Sequence, residues 1–239
     1  MSLEDSLVEK YLSGSYSIET ILLIISGADS EEKLREYQLK IDGIIDDFLN
    51  HYEIIERPSY SDIWELTTAS KLFDYLWHEK ENRYGDDFLL KDVIDNQLNP
   101  KSKNVGSCLG LTSLYTVLGL RLGLNLITVS ERKHMLSELI GENYSIFIEN
   151  TNIRGFALGK TSKESKKGLK FLVSTAYKNR AFYREKNYDF EGAIDDCNSV
   201  LEIEPENLAA QRLLIWSRFH NTLSNIKPFN YLYRKPKKS

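Results

Sequence analysis

In "NVGSCLGLTSLYTVLGLRLGLNLITVSERKHMLSELIGENYSIFIEN" (residues 104–150) one run passes from a cysteine set behind glycine, through a mainly apolar stretch, into segments with strand character. Gly106 and Ser107 before Cys108 permit a tight entry and an N-cap, so the spacing predicts a helix that opens at the cysteine, and Gly123 suggests its end. The segments "NLITVS" (125–130), "HMLSELIG" (134–141) and "YSIFIEN" (144–150) read as strands, the last two joined around Gly141, Glu142 and Asn143. This is the one convincing β region of the chain.

On both sides of it the pattern is helical. Upstream, "SEEKLREYQLKIDGIIDDFLNHY" (30–52) places Leu34, Tyr37, Ile41, Ile44, Ile45 and Phe48 on one stripe, with acids at its start where the helix dipole favours them. "SYSDIWELTTASKLFDYLWHEK" (59–80) opens with Ser59 and Asp62 at capping-box-like spacing and draws bulk from Trp64, Leu66, Leu72, Phe73, Leu76 and Trp77. "FLLKDVIDNQLN" (88–99) is a short helix stopped by Pro100. Downstream, three further stretches between residues 166 and 223 read as helices, and a basic tail follows with Lys227, Arg234, Lys235, Lys237 and Lys238.

The whole chain, 239 residues with 41% hydrophobic and 28% charged side chains, is long enough to bury a core without metal or disulfide staples. Its net charge of −4 gives no general attraction to nucleic acid or to an anionic membrane. The acidic start lacks the layout of a signal peptide, and "ILLIISGA" (21–28) is too short to span a bilayer, so the expected setting is cytoplasmic. Two cysteines in such a chain suggest free thiols, each needing its own explanation.

A thiol becomes a useful nucleophile as a thiolate, and a helix N-terminus and a nearby imidazolium both lower its pKa. Cys108 has the first by position, and the free N–H groups of the same turn suit an oxyanion. For the second, His134 opens the strand that follows the cysteine helix, whereas His51, His78 and His220 sit on amphipathic helices where a surface or structural role is expected. The third member of such a site orients the imidazole. A hairpin loop of two or four residues sets Leu136 opposite Glu149, so that His134 and Glu149 share a sheet face as diagonal neighbours; a loop of three sends Glu149 to the other face.

"GSCLGLTSLYTVLGLRLGL" followed by a strand and "HMLSELIGENYSIFIEN" resembles the core of the transglutaminase-like superfamily, in particular its SirB-type branch. The resemblance covers roughly residues 85 to 155. It implies a papain-like core with Cys108 as nucleophile, His134 as base and Glu149 as acid, with Asn150 as an alternative orienting residue, and it places Glu138 where the family often carries a glutamate on the histidine strand. No cofactor is implied. The expected partner is a peptide or protein carrying the acyl group.

Two weaker signals complete the reading. "GFALGKTS" (155–162) is one residue short of a phosphate loop between its glycines, and no Cys/His/acid cluster has metal-ligand spacing. "NRAFYREKNYDFEGAIDDCNSVLEIEPEN" (179–207) resembles a tetratricopeptide repeat through Ala181, Phe190, Ala193, Leu201 and Pro205, with Arg184 at a usual aromatic position and Cys197 on the inner stripe as a structural thiol. The expected architecture is therefore α+β: a helical region over 1–100, a transglutaminase-like core over 101–163, tetratricopeptide-like helices over 164–223 and a basic tail over 224–239. The expected function is cysteine-dependent acyl transfer. The competing expectation is an inactive papain-like scaffold that binds a protein or peptide through its helical repeat.

Overall fold

The structure, a computed structural model, describes residues 6–54, 62–131, 134–157, 165–224 and 226. It is α+β, a mainly helical chain with a small antiparallel sheet. The chain divides into two compact units, Met1–Leu172 and Val173–Ser239. The helical region and the sheet-bearing segment, separated at residue 100 in the sequence reading, thus belong to one unit, and the second division falls at Leu172 rather than at 163.

In the first unit α1 (Leu7–Leu12), α2 (Ile18–Ile25), α3 (Glu31–His51), α4 (Asp62–Glu79) and α5 (Leu90–Leu98) precede the cysteine helix α6 (Cys108–Arg121). Ser17 caps α2, accepting the Thr20 N–H at 3.1 Å, and nearly every residue of that apolar run is buried. The stripe read on α3 buries Tyr37, Ile41, Ile44 and Phe48, with Ser30 as N-cap. Of the residues read as bulk on α4, Leu72, Phe73, Leu76 and Trp77 are buried, whereas Leu66 is exposed; Ser59, the expected cap, lies outside the described residues.

Helix α6 is buried from Leu109 to Gly119 and has α2, α4, α5 and the first two strands as neighbours. Enclosure on every side explains why its sequence is apolar all round rather than striped. Its exposed end is tied down by Arg121, whose Nε and Nη2 donate to the two oxygens of the buried Glu19 on α2 at 2.6 and 2.8 Å.

The sheet has the order β3-β2-β1-β4, from β1 (Leu126–Glu131), β2 (His134–Ile140), β3 (Ser145–Ile148) and β4 (Lys166–Lys167), all antiparallel. β2 pairs with β3 as Ser137 with Ile148 and Ile140 with Ser145, and the Gly141 N–H donates to the Tyr144 carbonyl at 2.9 Å around a two-residue loop. Continued by one residue, that register sets Glu149 opposite Leu136. β4 is a correction: the stretch from Lys166 was expected to be helical, but Lys166 and Lys167 pair with Ser130 and Val129 before the helix begins. Gly168, at φ +127°, makes the turn between them.

The second unit holds most of α7 (Leu169–Lys186), then α8 (Phe190–Ile203) and α9 (Leu208–Ser224). Ala181, Cys197, Leu213 and Leu214 form its core, with Ile194 and Leu201 packed against it. Arg180 grips the buried Asp196 through Nε at 3.0 Å and Nη2 at 2.7 Å, and Arg184 adds a second cation at 3.0 Å. Asp189 caps α8 by accepting the Gly192 N–H at 3.1 Å. Among the described residues no helix is long and apolar enough to cross a membrane. The basic tail from Lys227 lies outside the described residues.

Candidate active site

Cys108 is the first residue of α6, behind the N-cap Ser107, whose hydroxyl accepts the Gly110 N–H at 3.4 Å. The glycines around the cysteine answer to one neighbour, the backbone of Asp87. The Ser107 N–H donates to the Asp87 carbonyl at 2.7 Å, and a Cβ on Gly106 or Gly110 would lie 2.7 or 2.6 Å from that same oxygen. Residues 83–85 run beside the cysteine loop: the Arg83 carbonyl accepts the N–H groups of Val105 and Gly106 at 2.9 and 3.0 Å, and the Gly85 N–H donates to the Gly106 carbonyl at 2.8 Å.

The start of β2 is latched to the start of α6. Thr112 donates to the Met135 carbonyl at 3.0 Å, and Thr116 meets Ser137 hydroxyl to hydroxyl at 3.1 Å. His134 is thereby held against Cys108, and the two side chains are hydrogen-bonded. The other ring partner is Glu149: Nε2 bonds Oε2 of the carboxylate, which leaves Nδ1 for the sulfur. Glu149 is itself positioned by Thr151, whose N–H and hydroxyl both donate to Oε1, at 3.0 and 2.6 Å.

The structure therefore brings Cys108, His134 and Glu149 together. Asn150, the alternative, does not touch the imidazole. It is buried, and its amide donates to Thr112, Ser137 and the Ile148 carbonyl at 3.3, 3.1 and 3.3 Å, so it ties α6 to the sheet. Glu138 is also remote from the ring contacts: buried, it accepts from Ser145 and pairs with Lys167 at 2.8 Å. Gly155 closes the turn after Glu149. A Cβ there would stand 2.0 Å from the Glu149 carbonyl oxygen.

The electrostatics favour an ion pair. Burial pushes the Cys108 thiol up, but the bond to His134, its positive charge, and the N–H groups of Met135 and Leu109 outweigh it, and the net shift is below the ordinary thiol value. The bonds to Cys108 and then to Glu149 raise His134 to about 10 against the opposing effect of burial. Burial raises the Glu149 carboxyl, while His134 and Thr151 bring it below the ordinary value. All three shifts stabilise the same arrangement, thiolate, imidazolium and carboxylate. The His134 side chain keeps 34% of its surface exposed, so the pair is accessible.

A cleft of about 660 Å³ adjoins the triad at Glu149 and Thr151 and is lined on its other side by Trp77, Arg83 and Tyr84. Thr151 and Arg83 were not singled out from sequence. Thr151 follows the acid by two residues, a spacing at which a hydroxyl bonds back locally, so the signal for it was present. For the second thiol, burial and the charge of Asp196 push Cys197 up to about 11, in keeping with a structural role. Comparison with known proteins finds no family model, no curated protein and no solved structure that matches this chain.

Proposed function

We propose that this protein is a cysteine-dependent acyl-transfer enzyme acting on an amide or thioester of a peptide or protein, with Cys108 as nucleophile, His134 as base and acid, and Glu149 as the group that orients the ring. The observation that carries this reading is the continuous hydrogen-bonded series from the sulfur through the imidazole to the carboxylate.

In this reading the thiolate attacks the acyl carbon and forms a carbon–sulfur bond, and the resulting oxyanion sits against N–H groups in the first turn of α6. His134 gives its proton to the departing amine or thiol as the tetrahedral species collapses. It then takes a proton from water or an acceptor nucleophile, which attacks the thioester and frees the cysteine. The helix opening at Cys108 and packed on an antiparallel sheet supports a papain-like, transglutaminase-like core. Burial of Ala181, Phe190 and Ala193 in the paired helices α7 and α8 supports a tetratricopeptide-like second unit.

A second reading, an inactive core with a binding role in the second unit, draws on Ile215, Trp216 and Phe219 of α9, all more than half exposed. Labelling with iodoacetamide across pH in wild type and His134→Ala separates the two. The enzyme reading expects fast modification of Cys108 below the ordinary thiol range, lost in the variant. Slow labelling with an ordinary thiol profile, the same in both proteins, rejects it in favour of the scaffold.

A further inference from the structure

The cleft beside the triad contains a cation that no carboxylate among the described residues pairs with. Arg83 is 98% buried, being 2% exposed, and its Nη1 donates to the Leu76 carbonyl at 2.6 Å and to Gln97 Oε1 at 2.7 Å. Both acceptors are neutral. Among the described residues no carboxylate lies within ion-pairing distance of it, and burial alone brings its pKa down to about 9. The Leu76 carbonyl belongs to the last turn of α4, where a cation is favoured by the helix dipole, but that accounts for one edge of the guanidinium only.

The other edge is open. A guanidinium has five N–H donors, and Nη1 uses two here, leaving Nε–H and both hydrogens of Nη2 without an acceptor among the described residues. Among the described side-chain polar atoms, Ser217 Oγ is sealed from solvent without a hydrogen-bond partner, and Glu138 Oε2, sealed likewise, has the Lys167 ammonium 2.8 Å away. Nε and Nη2 of Arg83 are not sealed in this way, so they keep a narrow contact with solvent, and Arg83 lines the cleft. The same edge has a consistent use elsewhere in this chain. Arg121 presents Nε and Nη2 to the carboxylate of Glu19, and Arg180 presents Nε and Nη2 to that of Asp196. Of the two acids lining the cleft, Glu149 is occupied by His134 and Thr151, and Glu81 is exposed with no bond to Arg83.

We propose that the Nε–H and Nη2–H edge of Arg83 is a carboxylate subsite, and that the substrate of Cys108 carries a carboxylate that docks there. Two parallel N–H···O bonds from a buried guanidinium to a planar anion give both affinity and orientation. Trp77, whose ring lies 5.8 Å from the guanidinium carbon, forms an apolar flank, and Tyr84 and Asn152 complete the walls. A peptide C-terminus and an acidic side chain offer the same chemistry. The proposal rests on the reading of Cys108 as an acyl-transfer nucleophile, and the cleft reaches that group of residues at Glu149.

The test uses full-length Cys108→Ala protein, so that binding is read without thiol chemistry and a failure of the subsite is distinguishable from a failure of catalysis. N-acetylglycine (a terminal carboxylate), N-acetylglutamate α-amide (a side-chain carboxylate) and the neutral N-acetylglutamine α-amide are titrated while the Trp77 indole N–H resonance, assigned with Trp77→Phe, is followed. At least one carboxylate is expected to shift that resonance saturably and to bind about tenfold or more tightly than the neutral amide. The tighter of the two identifies the source. Arg83→Lys keeps a cation that can still reach the Leu76 carbonyl but lacks the two-pronged edge, and is expected to lose about tenfold in that affinity. Equal binding of the neutral amide, no saturable shift with any of the three, or undiminished affinity in a folded Arg83→Lys chain overturns the proposal; if that variant does not fold, the comparison of charged and neutral probes decides alone.

Discussion

Thr151 donates both its backbone N–H and its hydroxyl to one oxygen of Glu149, so the other oxygen is turned to His134. The carboxylate is thus fixed by its own turn before it meets the imidazole. Thr151→Val removes the 2.6 Å bond and leaves the N–H contact. The expected result is a thiol labelling profile displaced toward higher pH and a loss of up to about tenfold in reactivity at neutral pH, with Thr151→Ser restoring the wild-type profile. A profile unmoved by the valine would show that the N–H alone suffices.

The ion pair also predicts a pH dependence of stability with a definite sign. His134, raised from 6.5 to about 10, holds a proton that the unfolded chain releases, so its contribution is full below about pH 6.5 and is lost as pH rises toward 10. Cys108, lowered from 9.0, contributes above the unfolded thiol value and loses that contribution as pH falls through its folded one. Between the folded thiol value and 9.0 the two slopes oppose one another. From 9.0 to about 10 only the histidine contribution still changes, and stability should fall with pH. Urea midpoints measured from pH 8 to 10.5 should converge for wild type and His134→Ala.

Gly110 is tested by Ala. The added Cβ would approach the Asp87 carbonyl oxygen to 2.6 Å and a methyl of Val93 to 2.6 Å, and backbone is the less yielding of the two. Displacement of the first turn of α6 is expected, with a cost on the order of 1–3 kcal/mol in chemical denaturation and slower labelling of Cys108. Gly43, which has nothing within 4 Å of its would-be Cβ, is the control that should tolerate the same change.

In the second unit, Asp196→Ala would leave the buried Arg180 and the nearby Arg184 without their shared anion. Breaking one side of a buried pair costs about 3–5 kcal/mol, so a large drop in the melting temperature is expected. Replacing Arg180 and Asp196 together with apolar residues should recover much of it.

Cys197 is 1% exposed, with its thiol raised by burial and by Asp196. Native protein at pH 8 should take up one equivalent of a thiol reagent, at Cys108, and a second only in denaturant. Mass spectrometry of the labelled peptides reads this directly.

Part of this arrangement was written in local pattern. The cysteine at a helix start and the strand led by His134 follow from short-range spacing, whereas the hairpin register stood open between loops of two or four residues and a loop of three until the strand pairing fixed it. Spacing did not choose between Glu149 and Asn150. They are adjacent and both can bond an imidazole, and the choice depends on hydroxyls from α6 and β2 that claim the asparagine. β4 was illegible for a similar reason: two lysines carry no strand signal, and their pairing exists because β1 has a free edge.

The sequence by itself determined the helix that opens at Cys108, the strands that carry His134 and Glu149, and the apolar stripe that makes Cys197 structural, while the register that sets His134 and Glu149 on one face came from the strand pairing. Tertiary structure alone decided what surrounds those groups. Arg83 reads as one more basic residue in a polar loop until Leu76, Trp77 and Gln97 strip it of water, and Cys108 is an ordinary thiol until His134, 26 residues further on, is bonded to it. Periodicity is a property of neighbours in the chain, whereas the desolvation and charge that set a side chain's chemistry come from residues brought close only by folding.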